Sequence, residues 1–121
     1  MNRSVLVVED NPDNSKLLCW MLEDWDYAVI FADSAEEALS VVEEQRFDLI
    51  LMDINLPGMG GEEATRQLRK LPSQAGVPII AVTAHALKSE IENIMAAGFD
   101  ALITKPIDEE ELFSAISKLL E

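Results

Sequence analysis

The stretch DLILMDINLPGMGG, residues 48–61, decides how the chain folds. Four apolar residues, Leu49 to Met52, run into the carboxylate of Asp53, and the segment then breaks at Pro57, Gly58, Gly60 and Gly61. A short, unbroken apolar run bounded by turn residues marks a strand covered on both faces, as in parallel sheets with helices on either side. The run VLVV (5–8) has the same character, and YAVIFA (27–32), VPIIAV (77–82) and ALIT (101–104) complete a set of five strands.

Between the strands the apolar period becomes helical. Leu18, Met21, Leu22 and Trp25 form one stripe, Ala35, Ala38, Leu39 and Val42 a second, and Leu112, Ile116, Leu119 and Leu120 a third. Ser34 with Glu37 three residues on reads as a capping box, and Asp108 as an N-cap followed by Glu109 to Glu111 at the positive helix end. Helices are expected at about 14–25, 35–45, 62–71, 88–97 and 109–120, with Gly98 closing the fourth. The alternation predicts one α/β domain over residues 1–121, a (βα)5 doubly wound fold on a five-stranded parallel sheet.

Composition limits what such a domain does. Of 121 residues 49% are apolar, none in a run long enough to span a bilayer, and MNRSVLVVEDN turns acidic too soon for a signal peptide, so a cytoplasmic protein is expected. Lone Cys19 has no internal disulfide partner, and no Cys or His cluster offers a thiolate or imidazole metal site. A formal charge of −14 opposes nucleic-acid binding by phosphate contacts and suits basic protein partners or a hard cation.

Chemistry concentrates where the strands end. The first is followed by Glu9 and Asp10, the third by Asp53, the fourth by Thr83 and the fifth by Lys105. In an open parallel sheet these carboxyl ends share the edge where ligands bind, and the flavodoxin-like order 2-1-3-4-5 sets the first and third strands side by side. Glu9, Asp10 and Asp53 would then crowd together and repel unless a cation neutralises them. Mg²⁺ suits the set: Asp10, Asp53 and a backbone carbonyl near Asn55 as ligands, with Glu9 acting through water. Lys105 adds a mobile positive charge and Thr83 a hydroxyl donor, which together fit phosphoryl transfer with Asp53 as the nucleophile.

VLVVEDN, DLILMDINLPGMGG, IIAVTAHA and ITKPI, in this order and at successive strand ends, resemble the response-regulator receiver domain of two-component signalling, over the whole chain. The strand order rests partly on that resemblance. It implies Asp53 as phosphoacceptor from phosphohistidine on a histidine kinase or histidine phosphotransfer protein. It further implies Mg²⁺ on Asp10, Asp53 and the Asn55 carbonyl, Thr83 and Lys105 on the phosphoryl group, and a cis Lys105-Pro106 bond. Such a domain assists its own phosphorylation and dephosphorylation rather than acting as a conventional enzyme. Its output is a protein contact, through the face of the fourth helix, fifth strand and fifth helix or by onward transfer in a phosphorelay, to a downstream target.

Two positions depart from that family. Leu102 stands where Tyr or Phe is common, which puts an aromatic rotamer switch in doubt, and Gly60 stands where an acid is common. Asn55 and His85 resemble positions flanking the route of attacking water and are expected to set the phosphoryl lifetime. Trp20 projects away from its helix's apolar stripe and is expected to be exposed, with a partner contact and an incidental surface position equally open.

Each residue taken alone has a plainer reading: Asp53 as a turn former or N-cap, Glu9 and Asp10 as solvated charge, Thr83 as a strand terminus, Lys105 as a surface lysine. Those readings leave the convergence unexplained. A dehalogenase-type phosphohydrolase would need a second Asp where Asn55 stands, and a flavodoxin-like carrier a Ser/Thr/Gly phosphate loop where EDNPDN stands. A pseudo-receiver that binds without phosphorylation is opposed by the intact acidic and basic set.

Overall fold

A computed structural model describes residues 3–84 and 87–120. Five strands, β1 (Ser4–Val8), β2 (Ala28–Ala32), β3 (Leu49–Asp53), β4 (Ile79–Thr83) and β5 (Ala101–Thr104), alternate with five helices. These are α1 (Pro12–Asp24), α2 (Ala35–Glu44), α3 (Gly61–Lys70), α4 (Lys88–Ala96) and α5 (Glu109–Leu120). The strands pair in parallel in the order β2-β1-β3-β4-β5, as expected from the sequence.

The central strands explain the all-apolar runs. Leu6, Val8, Ile50, Met52, Ile79 and Ala81 face one core, shared with Ala35, Ala38, Ala64, Leu68 and Ile94 of α2, α3 and α4. Val5, Val7, Leu49, Leu51 and Ile80 face a second core with Leu18, Leu22, Leu112 and Ile116 of α1 and α5. Every side chain of β3 and β4 is therefore buried, while edge strand β2 leaves Ile30 and Phe31 partly exposed. The strands keep their two-residue side-chain period, with both faces apolar because both are covered.

Helix ends follow local chemistry. Ser34 Oγ accepts from the Glu37 amide at 3.1 Å, the N-cap half of the expected capping box, and Asp108 Oδ1 accepts from the Glu111 amide at 3.0 Å, as expected of an N-cap. Gly98, at φ +116, ends the turn after α4, a conformation that suits glycine. The first helix starts earlier than its apolar stripe suggests. Asn11 caps it, its Oδ1 accepting from the Asp13 and Asn14 amides, and Pro12 takes the first helical position. Half-buried Trp25 meets Phe113 of α5 edge to face at 5.0 Å. No helix among the described residues is long and apolar enough to cross a membrane.

Candidate functional site

Register brings the polar strand ends together. Val8 pairs with Met52, so the next step along each strand sets Glu9 beside Asp53; Asp53 pairs with Val82, and Thr83 with Thr104, which precedes Lys105. The last ladder bonds hold the edge: Glu9 N donates to Ala32 O at 3.0 Å, Ile54 N to Val82 O at 2.9 Å and Lys105 N to Thr83 O at 2.8 Å. Asp53 and Thr83, expected just beyond their strands, are the last residues within them.

Glu9 and Asp53 are each 3% exposed, while Asp10 is open to solvent. One carboxylate oxygen from each of the three lies within 4.8 Å of the others. Lys105 Nζ donates to Asp53 Oδ2 at 3.2 Å and lies 3.0 Å from Glu9 Oε1, an ion pair that falls outside hydrogen-bond alignment. Glu9 Oε2 accepts from the Asp10 amide at 3.1 Å, and Asp53 Oδ1 from the Asn55 amide at 3.1 Å. The Lys105-Pro106 bond is cis, as the sequence resemblance implies.

The charges are unbalanced. Burial, followed by the adjoining Asp53 carboxylate, pushes the Glu9 carboxyl up to about 7 against the opposing pull of Lys105. Burial pulls the Lys105 ammonium down, but its contact with Glu9 and the charges of Asp53 and Glu9 outweigh that and leave it raised. One ammonium thus serves two buried carboxylates, and Glu9 Oε1 has no aligned donor. A small, hard cation fits this set: converging oxygens, excess negative charge, and neither thiolate nor imidazole among the ligands.

Leu102 is half-buried against the core that faces α2, α3 and α4, with no ring to rotate. Trp20 is 71% exposed, as its helical position predicts. His85 lies outside the described residues. Unforeseen in the sequence is a cleft of about 250 Å³ beside the acidic centre, where Asn55 and Thr83 meet Glu62 of α3 with Glu90 and Asn93 of α4.

This topology, with acids and a lysine at the strand ends, is the arrangement expected of a signalling receiver, and the chain belongs to the response regulator receiver domain family, whose model matches residues 5–117. Phosphoacceptance in two-component signalling is the function of that family, whose members are signalling domains rather than classical enzymes.

The chain is 41% identical over 120 residues to the polar-differentiation response regulator DivK of Brucella ovis, covering 99% of this chain and 98% of DivK. It is 42% identical over 113 residues to the signal transduction histidine-protein kinase BarA of Escherichia coli (strain K12), covering 93% of this chain but only 12% of BarA. The receiver domain of sensor histidine kinase PA1611 from Pseudomonas aeruginosa PAO1, solved with a magnesium ion coordinated in its active site cleft, superposes with a TM-score of 0.92 at 37% identity, covering 99% of this chain and 98% of that one. The chemotaxis response regulator CheY4 of Vibrio cholerae superposes with a TM-score of 0.93 at 28% identity, covering 99% and 100%.

Proposed function

We propose that Asp53 is the phosphoacceptor of a single receiver domain spanning residues 1–121, charged from phosphohistidine on a histidine kinase or histidine phosphotransfer protein in the cytoplasm. The observation that carries this reading is the convergence of buried Asp53, buried Glu9 and Lys105, with the ammonium 3.2 Å from the Asp53 carboxylate at the carboxyl edge of the sheet. An Asp53 carboxylate oxygen bonds to phosphorus as the bond from phosphorus to the imidazole nitrogen breaks. The electron pair leaves with that nitrogen. Lys105 turns its ammonium from Asp53 to a phosphoryl oxygen, and the Thr83 hydroxyl donates to another.

Asp10, Asp53 and the Asn55 carbonyl would hold Mg²⁺, with Glu9 acting through water. When bound, the ion supplies neutralisation of the carboxylates and of the transferring phosphoryl oxygens. The same residues assist hydrolysis of the aspartyl phosphate. Its loss or gain changes contacts with a downstream protein, through α4, β5 and α5 or by onward transfer.

The test is intact mass after incubation with Mg²⁺ and a small phosphodonor. A single phosphoryl adduct in the wild type, absent from a folded Asp53→Asn variant and abolished by EDTA, is the expected result. No adduct, under conditions that label another receiver, sinks the reading.

A further inference from the structure

The cleft beside the reaction centre has acidic walls. Glu62 stands in the first turn of α3 and Glu90 in the first turn of α4, both half-buried, and with Asn55 and Thr83 they line the space of about 250 Å³. Acids suit the first turn of a helix, which accounts for their being tolerated there. It does not cancel their charge. Among the described residues the ion pairs join Arg69 to Asp100 and Lys105 to Glu9 and Asp53, leaving Glu62 and Glu90 without a cationic partner. Asp53 is 3% exposed, so a donor must bring its phosphorus in from over the strand ends, where Thr83, at the end of the strand paired with that of Asp53, lines this cleft.

We propose that Glu62 and Glu90 set donor specificity by charge, favouring leaving groups that depart as neutral nitrogen and disfavouring those that depart as carboxylate anions; this rests on Asp53 being the phosphoacceptor. With a phosphohistidine or phosphoramidate donor, the phosphorus–nitrogen bond breaks, its electron pair goes to nitrogen, and the protonated nitrogen leaves as neutral imidazole or ammonia. With an acyl phosphate, the phosphorus–oxygen bond breaks, its pair goes to oxygen, and a carboxylate leaves with a full negative charge beside two others. Acetyl phosphate also arrives with more negative charge than phosphoramidate. A like charge at about one Debye length slows such a step roughly threefold for each carboxylate, and salt weakens the effect.

The experiment measures initial rates of Asp53 phosphorylation by acetyl phosphate and by phosphoramidate, at saturating Mg²⁺, for the wild type, Glu62→Gln, Glu90→Gln and the double variant. The ratio of the two rates is the readout, because changes in folded fraction or metal occupancy cancel in it. The expected ratio of acetyl phosphate to phosphoramidate rises about threefold in each single variant and nearly tenfold in the double one, in line with the Coulomb estimate. In the wild type, raising the ionic strength moves the ratio the same way. A ratio that stays constant across the variants and the salt series overturns the charge filter while leaving the phosphoacceptor reading intact. A wild type labelled by neither donor overturns both.

Discussion

Gly61→Ala tests how rigidly the fold holds Asp53. Gly61 opens α3 directly beneath the end of β3, its amide donating to Ile54 O at 3.2 Å. A Cβ at this position would overlap the Asp53 carbonyl oxygen and lie 3.0 Å from Met52 Cγ and 3.1 Å from the Asp53 carbonyl carbon. The obstacle is chiefly backbone, so either the first turn of α3 or the end of β3 must give way, by on the order of 1 Å to restore ordinary contact distances. Overpacking of this kind costs about 1–3 kcal/mol. Alanine's helix preference over glycine, about 1 kcal/mol in a helix interior and less in a first turn, opposes it. The net expectation is a loss of about 1–2 kcal/mol, read by urea unfolding. With Asp53 as the proposed phosphoacceptor, a displacement of this size also slows transfer by as much as about a hundredfold, beyond what the folded fraction explains. Gly60→Ala is the control, because a Cβ there meets only Ile54 O at 3.5 Å, so that its cost is confined to the poorer N-cap, about 1 kcal/mol or less, with no displacement of Asp53. If Gly61→Ala matches Gly60→Ala in both stability and phosphorylation rate, the contact beneath Asp53 is not what positions it.

Two further outcomes concern other parts of the chain. Arg69 donates to Gly98 O at 2.9 and 2.7 Å, Ala75 O at 3.1 Å, Val77 O at 2.5 Å and Asp100 Oδ2 at 2.8 Å, tying the end of α3 to the loops before β4 and β5. Arg69→Met should cost about 3 kcal/mol in urea unfolding while leaving the phosphorylation rate of the folded fraction unchanged, since these loops lie at the opposite edge of the sheet from Asp53; a loss below about 1 kcal/mol would mean the loops hold without it. The Glu9 carboxyl titrates at about 7 when folded against 4.5 in its ordinary state. Between those values the folded chain holds a proton the unfolded chain lacks, so in EDTA the contribution of Glu9 to stability falls as pH rises through the window, and Glu9→Gln removes that decline. Parallel pH profiles for the two proteins in urea unfolding would refute it.

Much of the site was legible because a parallel sheet converts strand endings into neighbours. Glu9, Asp53, Thr83 and Lys105 are far apart in sequence, yet each follows or ends an apolar run, and a register that aligns Val8 with Met52 and Thr83 with Thr104 makes them one cluster. Strand limits were less legible, since periodicity marks where apolar character stops and the ladder continues through Asp53 and Thr83. The start of α1 was written in Asn11 and Pro12, a cap and a first-turn proline, but hidden from a search for apolar stripes. The acidic cleft and the Arg69 hub carry no such local signal. Glu62 and Glu90 look like ordinary first-turn acids, and the carbonyls bound by Arg69 belong to loops that the fold alone brings near.

The energetics of the edge give these residues a common logic. Buried carboxylates are costly unless paired, and here Glu9 and Asp53 share a single ammonium that is itself partly desolvated. Hydrophobic burial on both faces of β1, β3 and β4 holds the carboxylates in place despite their repulsion. Because Glu9 and Asp53 are buried, they respond strongly to a change in charge at the site, the local dielectric being lower than that of water. Leu102 packs into the core in place of an aromatic ring, so under the proposed function a change at Asp53 passes to α4 and β5 through aliphatic packing and through the backbone that joins Thr83 to Lys105 at 2.8 Å.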